Sequence, residues 1–119
     1  MKMHKDLKVW EKSIKYVENI YKCTADFPKE EMYGLVSQIR RASVSVPSNI
    51  AEGATRQSNK EFLQFLFIAL GSLSEVDTQL IIAEKLGYIN NSRFDELIEQ
   101  NNEIARMIQG LIKSKKRRD

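Results

Sequence analysis

The chain of 119 residues is 42% hydrophobic and 29% charged, and its 19 basic and 16 acidic side chains give a net charge of +3. These values are typical of one soluble globular domain covering residues 1–119. The single cysteine, Cys23, excludes an internal disulfide and indicates a reducing compartment. The first residues lack the apolar core of a signal peptide, and the most apolar stretch, residues 62–73, is too short to cross a bilayer. The sequence therefore predicts a cytoplasmic protein that does not enter a membrane.

The first predicted helix covers about residues 6–26. Its apolar side chains recur at helical spacing and predict the face that turns toward the core. They are Leu7, Trp10, Ile14, Val17 and Tyr21, and they are flanked by Val9, Tyr16 and Ile20. The opposite face is mostly basic and carries Lys8, Lys12, Lys15, Asn19 and Lys22. A basic face of this kind is usually solvated, and it could also follow a row of phosphates.

The second predicted helix covers about residues 29–54 and contains a proline. Pro47 inside a helix costs about 3 kcal/mol because it lacks an N–H and its ring clashes with the preceding turn, so a bend is expected there. Gly53 is suited to ending the helix. One side carries a polar row that comprises Arg41, Ser45, Ser48 and Glu52. This row predicts a polar network across a helix or subunit boundary, with a ligand site as the alternative.

The third predicted helix covers about residues 58–86 and starts with a capping box formed by Ser58 and Glu61. It is apolar on two sides about 100° apart. The second side includes Leu63, Phe67, Leu70 and Ile81. One bundle core absorbs a single broad face from each helix. We therefore expect this second side, with contributions from helix two, to pack between subunits of a closed oligomer; a monomer with scattered surface leucines is the alternative.

The fourth predicted helix covers about residues 92–114, with a basic tail at residues 113–119. Its apolar stripe contains Asn101, which we expect to fix the register of packing. The tail either attracts polyanions or ends the chain as a frayed, solubilising segment. Four amphipathic helices joined by short connections predict an all-α fold, an antiparallel up-down-up-down four-helix bundle with helix two bent near Pro47.

Catalytic and metal-binding patterns are missing from the sequence. The only histidine, His4, lies outside the predicted helices, so no Cys–His or Ser–His pair can form within a core. The Glu-x-x-His pattern of di-iron bundles and the glycine-rich phosphate loops are absent. Glu52 and Glu75 could both face the bundle interior, but two carboxylates beside apolar stripes are weak support for catalysis. The sequence therefore predicts no catalytic residue, metal site, cofactor or enzymatic activity.

Several separated motifs resemble one protein family. They read LKVW at residues 7–10, FPKEEMYGL at 27–35, QIRRA at 38–42, NIAEG at 49–53, EFLQFLFIALGSLSE at 61–75 and LGYI at 86–89. The chain resembles, over nearly its whole length, the four-helix bundle family of proteins encoded in bacterial 23S rRNA intervening sequences. That family is similar to the accessory variability determinant of diversity-generating retroelements. The positions that match the family pattern are Arg40, Arg41, Asn49, Glu52, Gly53, Arg56 and Glu75.

The resemblance implies a ring, most often a homopentamer, whose basic surface meets RNA or DNA and which has no established enzymatic activity. We therefore predict a non-catalytic, oligomeric nucleic-acid-binding protein that favours RNA and binds electrostatically. The residues assigned to this surface are Lys8, Lys12, Lys15, Lys22, Arg40, Arg41, Arg56, Lys113, Lys115, Lys116, Arg117 and Arg118. The residues assigned to structural or interface roles are Arg41, Pro47, Asn49, Glu52, Gly53, Leu63, Phe67, Leu70 and Glu75. The alternative is a protein-interaction scaffold that engages a partner such as a reverse-transcriptase-like protein.

Overall fold

The computed structural model describes His4 and residues 7–118, with side chains as far as Arg117. Four α-helices account for most of these residues: α1 (Lys8–Thr24), α2 (Leu35–Ala54), α3 (Asn59–Lys85) and α4 (Asn91–Arg118). A single turn of 3₁₀ helix, Lys29–Glu31, lies between α1 and α2. The described part of the chain contains no strand. The predicted all-α four-helix fold is confirmed.

The helices pack in chain order, and α1 also packs against α4, so the four enclose one core. Polar contacts between α1 and α4 pair Lys12 with Glu103 and Asn19 with Gln100. Later residues of α1 therefore meet earlier residues of α4. α2 continues through Pro47 as one helix, and the bend expected at this residue stays a prediction.

Helix boundaries follow the local capping chemistry. The Ser58 hydroxyl accepts a hydrogen bond from the Glu61 amide at 3.2 Å and donates to the Glu61 carboxylate at 3.0 Å, so Ser58 caps the start of α3. The Asn90 side chain accepts from the Arg93 amide at 2.8 Å and caps α4. Gly87 adopts a φ of 81°, a left-handed conformation that suits glycine, just after the end of α3.

Two boundaries differ from the sequence-based prediction by more than two residues. Helix α2 begins at Leu35 rather than near residue 29, because Gly34 leaves helical geometry with φ −112° and ψ −109°. The Glu31 carboxylate accepts from the Leu35 amide at 3.3 Å and so satisfies one donor of the first turn. Helix α4 runs to Arg118, four residues beyond its predicted end. Residues 113–118 of the predicted basic tail are therefore helical, and Asp119 lies outside the described residues.

The buried face of α1 also differs from the predicted one. Ile14 and Tyr21 are 38% and 42% exposed, whereas the buried positions are Val9, Ser13, Tyr16, Ile20, Cys23 and Thr24. Two of these are hydroxyl residues whose donors are satisfied within the helix. Ser13 donates to the Trp10 carbonyl at 2.8 Å and Thr24 to the Ile20 carbonyl at 2.8 Å. Because these hydroxyls need no water, the helix can turn them inward together with the aliphatic residues beside them.

A buried polar link joins three helices at the centre of the core. The Asn101 amide donates to the Tyr16 hydroxyl at 3.1 Å and to the Leu73 carbonyl at 2.9 Å. Asn101 is 4% exposed and Tyr16 is 1% exposed. The link fixes α4 against α1 and α3 at one register, because a shift along any helix would leave buried polar groups unpaired.

This link has a consequence for stability at alkaline pH. Burial raises the pKa of the Tyr16 hydroxyl above its ordinary value, although the hydrogen bond from Asn101 works in the opposite direction. The unfolded chain loses this proton near pH 10 while the folded chain keeps it, so the contribution to stability is complete below pH 10 and is lost as the pH rises.

We expect the free energy of unfolding of Tyr16→Phe to fall less steeply between pH 9 and 11 than that of wild type. The slope attributable to Tyr16 is at most about 1.4 kcal/mol per pH unit, and urea titrations at each pH measure it. Parallel pH profiles for the two proteins would contradict the assignment.

Helix α3 is long and apolar enough, by length and composition, to cross a membrane, with a mean hydropathy of 1.5 over 18 residues. The interior helix of a bundle meets the same criterion. α3 packs against both α2 and α4 and buries nine residues, including Leu66, Leu73 and Leu80. Its packing between two neighbours explains the buried part of this composition, and 39% of the apolar window is buried.

Candidate nucleic-acid interface

Four helix ends meet at one end of the bundle around a cavity of about 570 Å³. The start of α1, the end of α2, the start of α3 and the end of α4 all contribute to it. Its lining residues are Leu7, Ala54, Arg56, Gln57, Ser58, Asn59, Phe62, Leu111, Ser114 and Lys115. We call this region the basic end and define it by the cations Arg56, Lys113, Lys115, Lys116 and Arg117.

Three cations of the basic end lie over phenyl rings of α3. The Arg56 guanidinium carbon is 4.9 Å from the centroid of the Phe65 ring. The Lys115 and Lys116 ammonium nitrogens are each 5.5 Å from a centroid, those of Phe62 and Phe67 respectively. Such contacts stabilise a cation by about 0.5–1 kcal/mol at an exposed site. They orient the cations while Arg56 and Lys116 remain exposed to solvent.

Local sequence explains how the phenyl rings come to support these cations. Gly53, near the end of α2, lets that helix approach α3 so closely that an added Cβ would lie 2.8 Å from Phe62 and from Phe65. The Ser58 cap starts α3 immediately before these aromatic residues. The N-terminus of a helix carries a partial positive charge, so it reinforces the surrounding cations. The last turns of α4 then bring residues 113–117 beside the start of α3.

Most of the predicted basic row on α1 lies away from this end or is already paired. Lys12 forms an ion pair with Glu103 at 3.0 Å, and Lys15 lines a small cavity with Tyr16 and Gln100 along the contact between α1 and α4. Lys8 and Lys22 are exposed. The row is therefore partly a helix contact rather than the uninterrupted solvated face that its sequence suggests.

The two neighbouring arginines predicted on α2, Arg40 and Arg41, have different roles. Arg40 donates to the Thr24 hydroxyl at 2.9 Å and to the Tyr21 carbonyl at 3.3 Å, and its guanidinium lies 4.4 Å from the Tyr21 ring centroid. These contacts attach α2 to the end of α1, so Arg40 is engaged in holding the fold. Arg41 is exposed. The side chain of Arg118 lies outside the described residues.

The predicted interface residues are not brought together as one network. Glu52 is exposed and pairs with Arg56 at 3.0 Å, and Glu75 is exposed on α3. Neither carboxylate therefore takes the interior position that the sequence left open for both. Exposure keeps both carboxylates solvated, whereas burial without a partner would be costly.

The remaining interface residues have separate positions. Asn49 donates to the Ser45 carbonyl and hydroxyl at 2.8 and 2.9 Å, and Pro47 is buried. Leu63 and Leu70 pack partly against the core, and Phe67 is 49% exposed.

Sequence reasoning missed Phe62, Phe65 and Phe67 as supports of the cations. Their spacing at the start of α3, together with a basic segment at the end of α4, was the available signal. This signal can be interpreted only once the start of α3 and the end of α4 are known to lie at the same end of the bundle.

Reactive groups are sparse in the part of the chain that the structure describes. No three His, Cys, Asp or Glu side chains there lie close enough to hold a metal ion. Burial raises the pKa of the Cys23 thiol, so it stays protonated and weakly nucleophilic at neutral pH. His4 packs edge-on against Trp10, with ring centroids 5.1 Å apart.

A family model described as 23S rRNA-intervening sequence protein matches residues 5–110. The chain belongs to this family. The resemblance that the motifs carry is thereby confirmed, while similarity to the accessory variability determinant stays a prediction. The matched range of the 23S rRNA-intervening sequence family covers α1 to α3 and most of α4 but stops before Lys113, so four of the five cations of the basic end lie beyond it.

A solved structure from Bacteroides thetaiotaomicron, described as a protein of unknown function from the S23 ribosomal protein family, is similar to this member of the 23S rRNA-intervening sequence family. The two chains share 26% sequence identity and superpose with a TM-score of 0.80, over 88% of this chain and 98% of the other. No curated protein is significantly similar in sequence. The comparisons therefore support the family and the bundle fold.

Proposed function

We propose that this protein is a non-catalytic nucleic-acid-binding protein that contacts RNA through the basic end. The observation that carries the proposal is the support of Arg56, Lys115 and Lys116 by three phenyl rings around the start of α3. Oriented cations gathered at one end favour a phosphate backbone as the ligand. The family's name, which refers to an insertion in ribosomal RNA, favours RNA over DNA. The single cysteine, Cys23, suits a protein of the reducing cytoplasm.

Binding at this end should be electrostatic. Neutralising phosphates releases condensed counterions, so the logarithm of the affinity falls linearly with the logarithm of the salt concentration. We would titrate a fluorescently labelled structured RNA with the protein at several salt concentrations between 50 and 200 mM. A steep negative slope is expected. No binding at the lowest salt concentration, or an affinity that does not depend on salt, would contradict the proposal.

We further propose that several subunits form a closed ring that places their basic ends together. The support is the apolar surface exposed along α3 and at the residue that follows it, since Phe67, Ile68, Ile82 and Leu86 are 49%, 51%, 44% and 55% exposed. A homopentamer is what the family resemblance implies. A ring would multiply the +3 charge of one chain into a larger positive surface.

Replacing Phe67 by glutamate distinguishes a ring from a monomer. In a monomer the change should be nearly neutral, because residue 67 is half exposed and Lys116 lies beside it. In a ring that covers this residue, the carboxylate would lose water, and subunits should dissociate or misfold. Light scattering measures the mass of both proteins. A wild-type mass of 13.8 kDa at micromolar concentration would contradict the ring.

A protein-interaction scaffold is the second candidate. It is favoured by a groove of about 480 Å³ between α1 and α2, beside which Tyr33 is 97% exposed and Met32 is 47% exposed. Affinity purification with and without nuclease separates the two functions. Partners, such as a reverse-transcriptase-like protein, that survive nuclease treatment would favour the scaffold.

A further inference from the structure

A second polar groove lies between α2 and α3, separate from the basic end. It has a volume of about 340 Å³. Helix α2 contributes Gln38, Arg41 and Ser45, and helix α3 contributes Glu75 and Gln79. Arg41 precedes Ala54, the last residue of α2, by thirteen residues, which corresponds to about 20 Å at the rise of an α-helix, and Arg56 follows two residues later. A strand stacked at about 3.4 Å per nucleotide would cover this distance in roughly six nucleotides.

One side chain of the groove has an unsatisfied polar atom. Gln79 is 9% exposed, and its amide oxygen has no hydrogen-bond partner. A buried acceptor without a partner is a cost to the folded state, and native structures seldom retain one without a reason. The terminal torsion of a glutamine is broad and roughly two-fold. The unpaired oxygen is the buried end of the amide, and a half turn would direct it toward the groove and place the amide NH2 in the buried position.

The two walls of the groove offer opposite hydrogen-bonding chemistry. The Ser45 hydroxyl oxygen accepts from Asn49 at 2.9 Å and lies 2.8 Å from the Ser72 hydroxyl, which also has the Ile68 carbonyl as an acceptor at 3.2 Å. Arg41 on the same wall supplies only donors. Glu75 on the α3 wall supplies only acceptors. Among the described residues, Arg41 and Glu75 form an ion pair neither with each other nor with another side chain.

We propose that this groove binds an unpaired guanine base of the RNA held at the basic end, an inference that rests on the proposed function. Guanine presents three N–H donors at its N1 and N2 positions, and the α3 wall has three acceptors, namely two oxygens of Glu75 and one of Gln79. Its O6 and N7 atoms accept hydrogen bonds, and arginine is their commonest partner in specific recognition. Adenine, cytosine and uracil each present fewer than three donors at their pairing edge. RNA is usually read in this way, by hydrogen bonds to the edges of unpaired bases.

The test measures fluorescence anisotropy with ten-nucleotide RNAs that are uridine throughout except at one position. That position holds guanine, inosine, which lacks the N2 amino group, or adenine. Wild type is expected to bind the guanine RNA about tenfold more tightly than the adenine RNA, with inosine between them. Glu75→Gln and Gln79→Leu should abolish this ratio. Glu96→Gln, which makes the same change of charge on the exposed face of α4, should preserve it.

The outcomes separate this inference from the proposed function. Equal, salt-dependent affinity of wild type for the three RNAs would overturn the guanine site and leave the proposed function standing. A guanine preference that persists in Glu75→Gln would also overturn the site. Loss of affinity for all three RNAs in the double variant Lys113→Ala/Lys116→Ala, with the guanine ratio intact, would support both. The absence of binding to these RNAs would overturn the guanine site, and the absence of binding to the structured RNA as well would overturn the proposed function.

Discussion

Replacing Asn101 by alanine is expected to lower the free energy of unfolding by about 2–4 kcal/mol. The change removes the hydrogen bonds to the Tyr16 hydroxyl and the Leu73 carbonyl and leaves a small cavity among three helices. The buried Tyr16 hydroxyl then lacks its partner, which adds a desolvation cost. Urea unfolding followed by circular dichroism measures the change.

Asn102→Ala is the matched control, because Asn102 is the next residue of the same helix and is exposed. Its effect should stay within about 0.5 kcal/mol. A double-mutant cycle of Asn101→Ala with Tyr16→Phe should give a coupling energy between about 0.5 and 3 kcal/mol, because the two groups touch. Additive effects, or equal costs at positions 101 and 102, would show that the link does not carry the packing register.

Gly53→Ala is expected to destabilise the protein by about 1–2 kcal/mol, although alanine is the better helix former. The new Cβ would lie 2.8 Å from the Phe65 Cβ, an atom fixed to the backbone of α3, so the two helices must separate. Overpacking of this kind costs about 1–3 kcal/mol. It exceeds the gain of about 0.5–1 kcal/mol from replacing a helical glycine.

Gly110→Ala is the control, and its expected change in stability has the opposite sign to that of Gly53→Ala. Gly110 is an exposed helical residue, and nothing lies within 4 Å of the position that its Cβ would occupy. We therefore expect this variant to gain about 0.5–1 kcal/mol. Equal stabilisation of the two variants, measured by urea titration, would contradict the close approach of α2 to α3. Because Phe62 and Phe65 support cations, Gly53→Ala should also weaken RNA binding.

The local signals in the sequence were enough to predict the helices. Ser58 and Gly87 each act through their own backbone, so their effect on a helix end does not depend on the rest of the fold. The family was also predicted correctly, because its motifs can be recognised in the sequence alone. The start of α2 was harder to predict, because the break at Gly34 depends on the contact between the Glu31 carboxylate and the Leu35 amide.

The rotation of each helix about its own axis, and so the face that it buries, depended on its neighbours. α1 has two adjacent apolar stripes, and contact with both α2 and α4 decides that Tyr16 is buried while Ile14 remains 38% exposed. The same limit applies to the candidate interface. Arg56 and Lys115 are far apart in sequence and meet only because α2 and α4 end at the same end of the bundle. Residue type predicted their charge, but it could not show that Arg40 is engaged with Thr24 whereas Lys116 is exposed.

Comparing two double variants tests most directly whether RNA binds at the basic end. Lys113→Ala/Lys116→Ala removes two exposed cations there, and Lys29→Ala/Lys85→Ala removes two exposed cations at the opposite end of the bundle. Both change the net charge equally, so any general attraction of RNA to the protein falls by the same amount. The measurement is the affinity for a structured RNA as a function of salt concentration. The account predicts that the first variant alone binds about tenfold more weakly at low salt, with a slope that is less steep by about 1.4–1.8, the value for two lost phosphate contacts. Equal losses in the two variants, or an unchanged slope in the first, would contradict binding at the basic end.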